Sequence, residues 1–153
     1  MVHVEHAKDS SKDPLNIYQT TRIIFSKVVT TITMCDETMV QMANDTRFIF
    51  KFLEWMNSGL SSSAARSEES IRMAGALCIG NFARSGTLLV NVDDTCATLL
   101  FDKKVGEPLI ALLRAETERF ATSDRTRDEN KSSIKVFHAI IAGLKNLSLA
   151  RIY

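Results

Sequence analysis

Two asparagines are the residues of this chain best placed to act on another molecule. Asn81 is the one uncharged polar group in a long run of apolar and small residues, Ile71 to Ala83, and Asn146 sits in a second such run, Ser133 to Ala150. A carboxamide carries both a donor and an acceptor, so an asparagine on an exposed stripe can read the main chain of a docked segment. By helical steps from Asn81 the same stripe holds Ala74, Leu77 and Arg84; from Asn146 it holds Lys135, Ala139 and Ala142, with His138 to one side. Arg84 and Lys145 lie near helix C-termini, where a cation is favourable whether or not it meets a partner. A competing role is internal: Asn81 and Asn146 can hydrogen-bond neighbouring helix ends, and His138 can be a packed histidine. Two acidic pairs, Asp36-Glu37 and Asp93-Asp94, recur just ahead of apolar stretches, where they cap short helices.

Other chemistries lack their parts. His3 and His6 have a metal-like spacing, but no further ligand is near in sequence, so no metal site is expected. There is no nucleophile elbow and no glycine-rich phosphate loop, so the chain is expected to be neither an enzyme nor dependent on a cofactor. The net charge of +1 comes without a basic stripe, which gives nucleic-acid binding little to work with. No apolar stretch approaches the roughly 20 residues of a membrane span. Cys35, Cys78 and Cys96 form no CxxC pair, and residues 1–13 are too polar for a signal peptide. Reduced thiols in a cytoplasmic protein are the expectation.

The elements that must position these residues read as all-helical: two prolines and six glycines are too few for a turn-rich β fold. Residues 1–13 read as a disordered tail. Asp13-Pro14 opens a helix over Leu15–Thr33, although its β-branched residues also allow a strand over Ile23–Thr33. Short helices follow from Asp36 to about Asn44 and from Asp45 or Thr46 to Met56. The long central helix begins with Ser67 as its cap, Glu68 and Glu69 filling the first turn. Being apolar almost all round, it belongs inside a larger stack. Thr87–Val92 reads as loop or a single turn, Asp93–Phe101 as a short helix, and Leu109–Ala115, extending to Phe120, as a medium one. Ala121–Ser132 reads as a mobile loop before the last apolar helix.

This order repeats. Ile71–Ala83 laid over Val136–Ser148 puts Asn81 on Asn146 and Phe82 on Leu147. Asp36–Met56 laid over Asp93–Leu113 puts Phe52 on Leu109 and Trp55-Met56 on Leu112-Leu113. Arg22–Thr33 laid over Arg72–Ala83 puts Thr31 where Asn81 stands. Short, medium and long helices in that order make an armadillo unit of about 40–47 residues. The expected fold is an armadillo-type right-handed solenoid over residues 14–153: a leading third helix, about two complete repeats and a final third helix. The apolar final helix lacks the polar face of a terminal cap, which suggests a piece of a longer array.

Within that frame GALCIGNFARS (Gly75–Ser85) resembles the GALAIxNFAR stretch of the small-GTPase GDP-dissociation stimulators, which are armadillo proteins. VGEPLIALL (Val105–Leu113) and VFHAIIAGLKNLSLA (Val136–Ala150) resemble that family's next unit, whose long helix reads roughly VQHAALSALRNLAIP. The resemblance implies a non-catalytic regulator whose concave groove binds a Ras- or Rho-type small GTPase and promotes GDP release or chaperones the GTPase. It places Asn81, Arg84, His138, Lys145 and Asn146 at the partner. It also suggests that Asp36, Glu37, Asp93 and Asp94 form an acidic rim for a basic GTPase tail. The alternative is an armadillo scaffold for an unrelated protein or peptide, with no effect on nucleotide. Leu77, Ala142 and Lys27 stand where importin-type grooves carry tryptophan, which disfavours a nuclear-import adaptor.

Overall fold

The computed structural model describes residues 13–59, 66–88, 95–122 and 127–149, and among them there is no strand. Seven helices follow in order: α1 (Pro14–Ile32), α2 (Asp36–Ala43), α3 (Arg47–Met56), α4 (Arg66–Leu88), α5 (Thr95–Asp102), α6 (Gly106–Thr122) and α7 (Arg127–Leu149). The β-branched stretch Ile23–Thr33 is therefore helical to Ile32. Asp13 starts α1 as expected, its carboxylate accepting from the Leu15 amide at 3.0 Å, with Pro14 in the first turn. Inside α1 the threonines spend their hydroxyls on their own helix: Thr21, Thr30 and Thr31 donate to the carbonyls of Ile17, Ser26 and Lys27.

Several boundaries differ from the sequence reading. Helix α4 begins at Arg66, so Ser67 lies in the first turn rather than at the cap, and the helix runs on through Gly86 to Leu88. Thr87-Leu88 is thus helix, and 89–94, including Asp93 and Asp94, lies outside the described residues. Helix α6 continues to Thr122 and α7 starts at Arg127, so the stretch read as a loop over 121–132 is helical at both ends, with 123–126 outside the described residues. The charged residues there are compatible with a solvated helix face, a pattern that composition alone does not separate from loop. The expected tail, 1–13, lies outside the description except for Asp13.

Helix α4 is the centre. It packs on α1 and α7, which flank it, and on α3 and α5; α6 packs on α7. Small residues let the long helices approach. A Cβ on Gly80 would stand 3.3 Å from the Cα of Gly143, and one on Gly75 would stand 2.7 Å from the Phe52 carbonyl oxygen. Around these contacts Ile71, Ile79, Phe82, Phe52, Met56, Leu109, Leu112 and Ile140 are fully buried. Each side chain removed from water in this way contributes about 1.5–3 kcal/mol against chain entropy. The Phe82 ring meets Phe52 edge-on at 5.6 Å, and Phe52 in turn packs on Trp55.

The two medium helices correspond, but in a register three residues from the one the sequence overlay chose. Buried Ile49, Phe52 and Met56 match buried Leu109, Leu112 and Glu116, while exposed Phe50 and Lys51 match exposed Ile110 and Ala111. Most of the slip is already present in the preceding short helices, since α2 starts at Asp36 but α5 at Thr95, two residues past the Asp93 that the overlay set on Asp36. In the turn that follows, Lys104 takes a left-handed backbone conformation (φ 50°) and the Val105 amide reaches back to the Leu100 carbonyl. In this register a carboxylate, Glu116, occupies the place of the apolar Met56.

Candidate functional site

The candidate site is the outward polar stripe shared by α1, α4 and α7. Its geometry starts from the asparagines. Asn146 donates through Nδ2 to the Gly80 carbonyl of the adjacent helix at 2.8 Å. Asn81 donates to the hydroxyl of Thr33, the residue that caps the end of α1, at 3.0 Å, and that hydroxyl donates onward to the Thr30 carbonyl at 2.8 Å. Thr30 is the residue that the sequence overlay sets against Gly80. Each asparagine therefore reaches the equivalent carbonyl of the preceding long helix, once directly and once through a hydroxyl. The internal role is real at both positions. It uses only half of each side chain: neither carboxamide oxygen accepts a hydrogen bond within the described residues, and both asparagines are half-exposed.

The stripe around them is open to solvent. Leu77 and Arg84 are half-buried on α4, while Lys135, His138, Ala142 and Lys145 are exposed on α7, and Lys27 and Thr31 on α1. Ala74 and Ala139, expected on the same stripe, are buried in the contacts between helices. His138 is exposed rather than packed, so the buried-histidine alternative is excluded. Arg84 donates to the Met34 carbonyl at 3.1 Å and faces Asp36 at 3.6 Å, which ties the start of α2 to the end of α4. Asp36 is thereby partly neutralised, while Glu37 stays exposed. Among the described side chains of α1, α4 and α7 the carboxylates are Glu68 and Glu69, and both are engaged. Glu68 pairs with Arg22 at 2.9 Å and accepts from Ser58; Glu69 accepts from Ser133 at 2.9 Å. The stripe consequently presents Lys27, Arg84, Lys135 and Lys145 against Asp36 and Glu37 at one edge.

Sequence reading missed a buried charge cluster at the opposite end of these helices. Arg72 and Glu116 are 2% and 1% exposed and meet at 2.6 Å; Arg72 also donates to the Ser58 carbonyl, and Arg119 donates to the Gly59 carbonyl at 2.6 Å. Burial is the main influence on the Arg72 guanidinium and lowers its pKa, with the Glu116 charge opposing. The signal was Arg72 itself, a lone cation inside an apolar run. A buried arginine needs a carboxylate. Arg72 and Glu116 are the buried heart of the cluster, which ties α4 and α6 to the end of α3, while Arg119 at its edge is a quarter exposed.

No group of three or more metal-ligating side chains occurs among the described residues, and no described helix is long and apolar enough to cross a membrane. Cys35 is an exposed free thiol and Cys78 a buried one. No protein-family profile, no curated protein and no solved structure matches the chain.

Proposed function

We propose that the chain is an armadillo-type helical stack whose α1–α4–α7 stripe forms the floor of a concave groove. That groove binds a Ras- or Rho-type small GTPase and favours its nucleotide-free conformer. One observation carries the reading: Asn81 and Asn146, one long helix apart, both donate toward the preceding long helix, Asn146 directly to a carbonyl and Asn81 through the Thr33 hydroxyl, and both keep their carboxamide oxygens unspent within the described residues. Long helices stand about 8–10 Å apart, close to three residues of extended chain, so the two amides suit successive stretches of one docked segment. Lys27 and Lys135 on the same floor favour a segment bearing carboxylates. Release of nucleotide then needs no catalytic side chain, because a protein that binds one conformer better shifts the equilibrium by that difference. Cytoplasmic residence accompanies this reading.

Complex formation on a sizing column tests it. Lys27 and Lys135 are exposed, so Lys27→Glu with Lys135→Glu leaves the fold intact and is expected to weaken GTPase binding at least tenfold. Asn81→Ala with Arg84→Glu is expected to act in the same direction. Unchanged binding in both variants, with native circular dichroism, removes the groove assignment.

A further inference from the structure

We infer that the chain pairs with a second copy of itself through α1, the two helices antiparallel and related by a two-fold axis beside Ile24 and Phe25. Helix α1 is apolar on two sides. Ser26 and Val29 are buried in the stack, as is Thr33 at the cap, and α4 is the main neighbour on that side. Steps of three and four from Ile17 run along a second stripe: Ile17, Thr21, Ile24, Phe25, Val28 and Ile32, with Tyr18 beside it. The large apolar side chains of this stripe are 41% to 60% exposed. No charged residue interrupts it. Arg22 is drawn aside to Glu68 and Ser58, and Lys27 projects from another side of the helix. The Thr21 hydroxyl donates to the Ile17 carbonyl of its own helix, so Thr21 can be covered without stranding a polar group. Phe25 is steadied by Trp55, whose ring it meets edge-on at 6.3 Å.

Two features of the stripe select a second copy as its occupant. The first is symmetry. About the midpoint between Ile24 and Phe25 the stripe reads alike in both directions: Ile17 mirrors Ile32, Thr21 mirrors the similarly shaped Val28, and Ile24 mirrors Phe25. Arg22 and Lys27 also mirror each other, and both fall outside the seam. A two-fold interface needs a surface complementary to itself, residue i meeting j and j meeting i. Antiparallel α1 helices supply it, with Thr21 level with Val28 of the other copy, Ile17 with Ile32, and Ile24 with Phe25. An unrelated partner makes no such demand on the sequence. Opposed helix dipoles favour the same arrangement. The second feature is size. Ile17, Tyr18, Ile24, Phe25, Val28 and Ile32 together expose on the order of 600 Å², at the top of what a monomer leaves to water. Two copies thus bury about 1,200 Å², the lower bound for a specific stable interface. Lys27 stays on another side of α1, so the pairing does not rest on the GTPase reading.

Sedimentation equilibrium of the full chain, from about 1 to about 200 µM, tests it. For an interface at the small end of the stable range, a dimer half dissociated near about 10 µM is expected. Val28→Glu, at an exposed position, buries a carboxylate beside Thr21 of the other copy. It is expected to weaken the dimer about tenfold or more while circular dichroism stays native. Adding Thr21→Lys sets a lysine against that carboxylate across the interface and is expected to restore about tenfold of the loss at low salt. Ile24→Ser with Val28→Ser serves if Val28→Glu does not fold. A monomer throughout overturns the pairing, and so does a dimer that survives both the glutamate and the serine variants. Failure of Thr21→Lys to rescue Val28→Glu overturns the antiparallel register. A dimer that forms only once residues 1–12 are deleted assigns the stripe to that segment and overturns the second copy as its occupant.

Discussion

The two cysteines with described side chains differ in the property that sets thiol reactivity. Cys35 precedes α2, where hydrogen bonds from the Thr38 hydroxyl and then the Thr38 amide hold its pKa below the usual thiol value. Burial pushes the Cys78 thiol up, against weaker contacts from Thr30 and Thr33. The thiolate is the reacting species. Iodoacetamide is therefore expected to modify Cys35 in the native protein and to reach Cys78 only on unfolding. As pH falls below the ordinary thiol range, Cys35 should keep more of its reactivity than a free cysteine does. Peptide mapping by mass reads both, and equal rates at the two sites would contradict the assignment. The Arg72–Glu116 pair gives a second test. Removing one partner strands a buried charge, so Arg72→Ala is expected to cost about 3–5 kcal/mol in urea unfolding. Replacing both, Arg72→Met with Glu116→Leu, should recover most of that loss. A cost near zero for the single variant would mean that the pair is not buried in solution.

Among the elements, the close approach of α3 to α4 rests on Gly75. Its missing Cβ makes room for the Phe52 carbonyl, which is backbone and cannot turn aside. Gly75→Ala is expected to destabilise by about 1–3 kcal/mol despite the better helix propensity of alanine. Gly143→Ala, whose new methyl would meet the end of the Leu109 side chain at 3.4 Å, should be close to neutral. Equal effects would show that the two helix pairs pack alike. The same scale shows what was legible in the sequence. Apolar periodicity and the Asp13-Pro14 start located the long helices α1, α4 and α7. The ends of α4, α6 and α7 were not legible, because polar residues such as Ser67 and Lys131 continue a helix as readily as they leave it. The register of α3 against α6 was missed for a different reason. The overlay was anchored on the acidic pairs, Asp36 on Asp93, whereas α2 starts at Asp36 and α5 only at Thr95. Matching by hydrophobicity also set Met56 on Leu113, since nothing in a single sequence suggests that a glutamate takes a methionine's place until Arg72 is seen beside it.

For the whole molecule, the long helices form one continuous set, α1 on α4 on α7, stitched by asparagines that donate in the same sense. That arrangement leaves one face polar and cationic among the described residues, and the functional proposal uses that face. A scaffold that merely presents the face would bind without consequence, whereas a regulator must bind the nucleotide-free GTPase better than the loaded one. Release of a fluorescent GDP analogue from a Rho- or Ras-type protein, in the presence of excess unlabelled nucleotide, separates these most directly. The account predicts release that accelerates with concentration of the chain and returns to the intrinsic rate with Lys27→Glu and Lys135→Glu. Release at the intrinsic rate throughout a titration that saturates binding would contradict it.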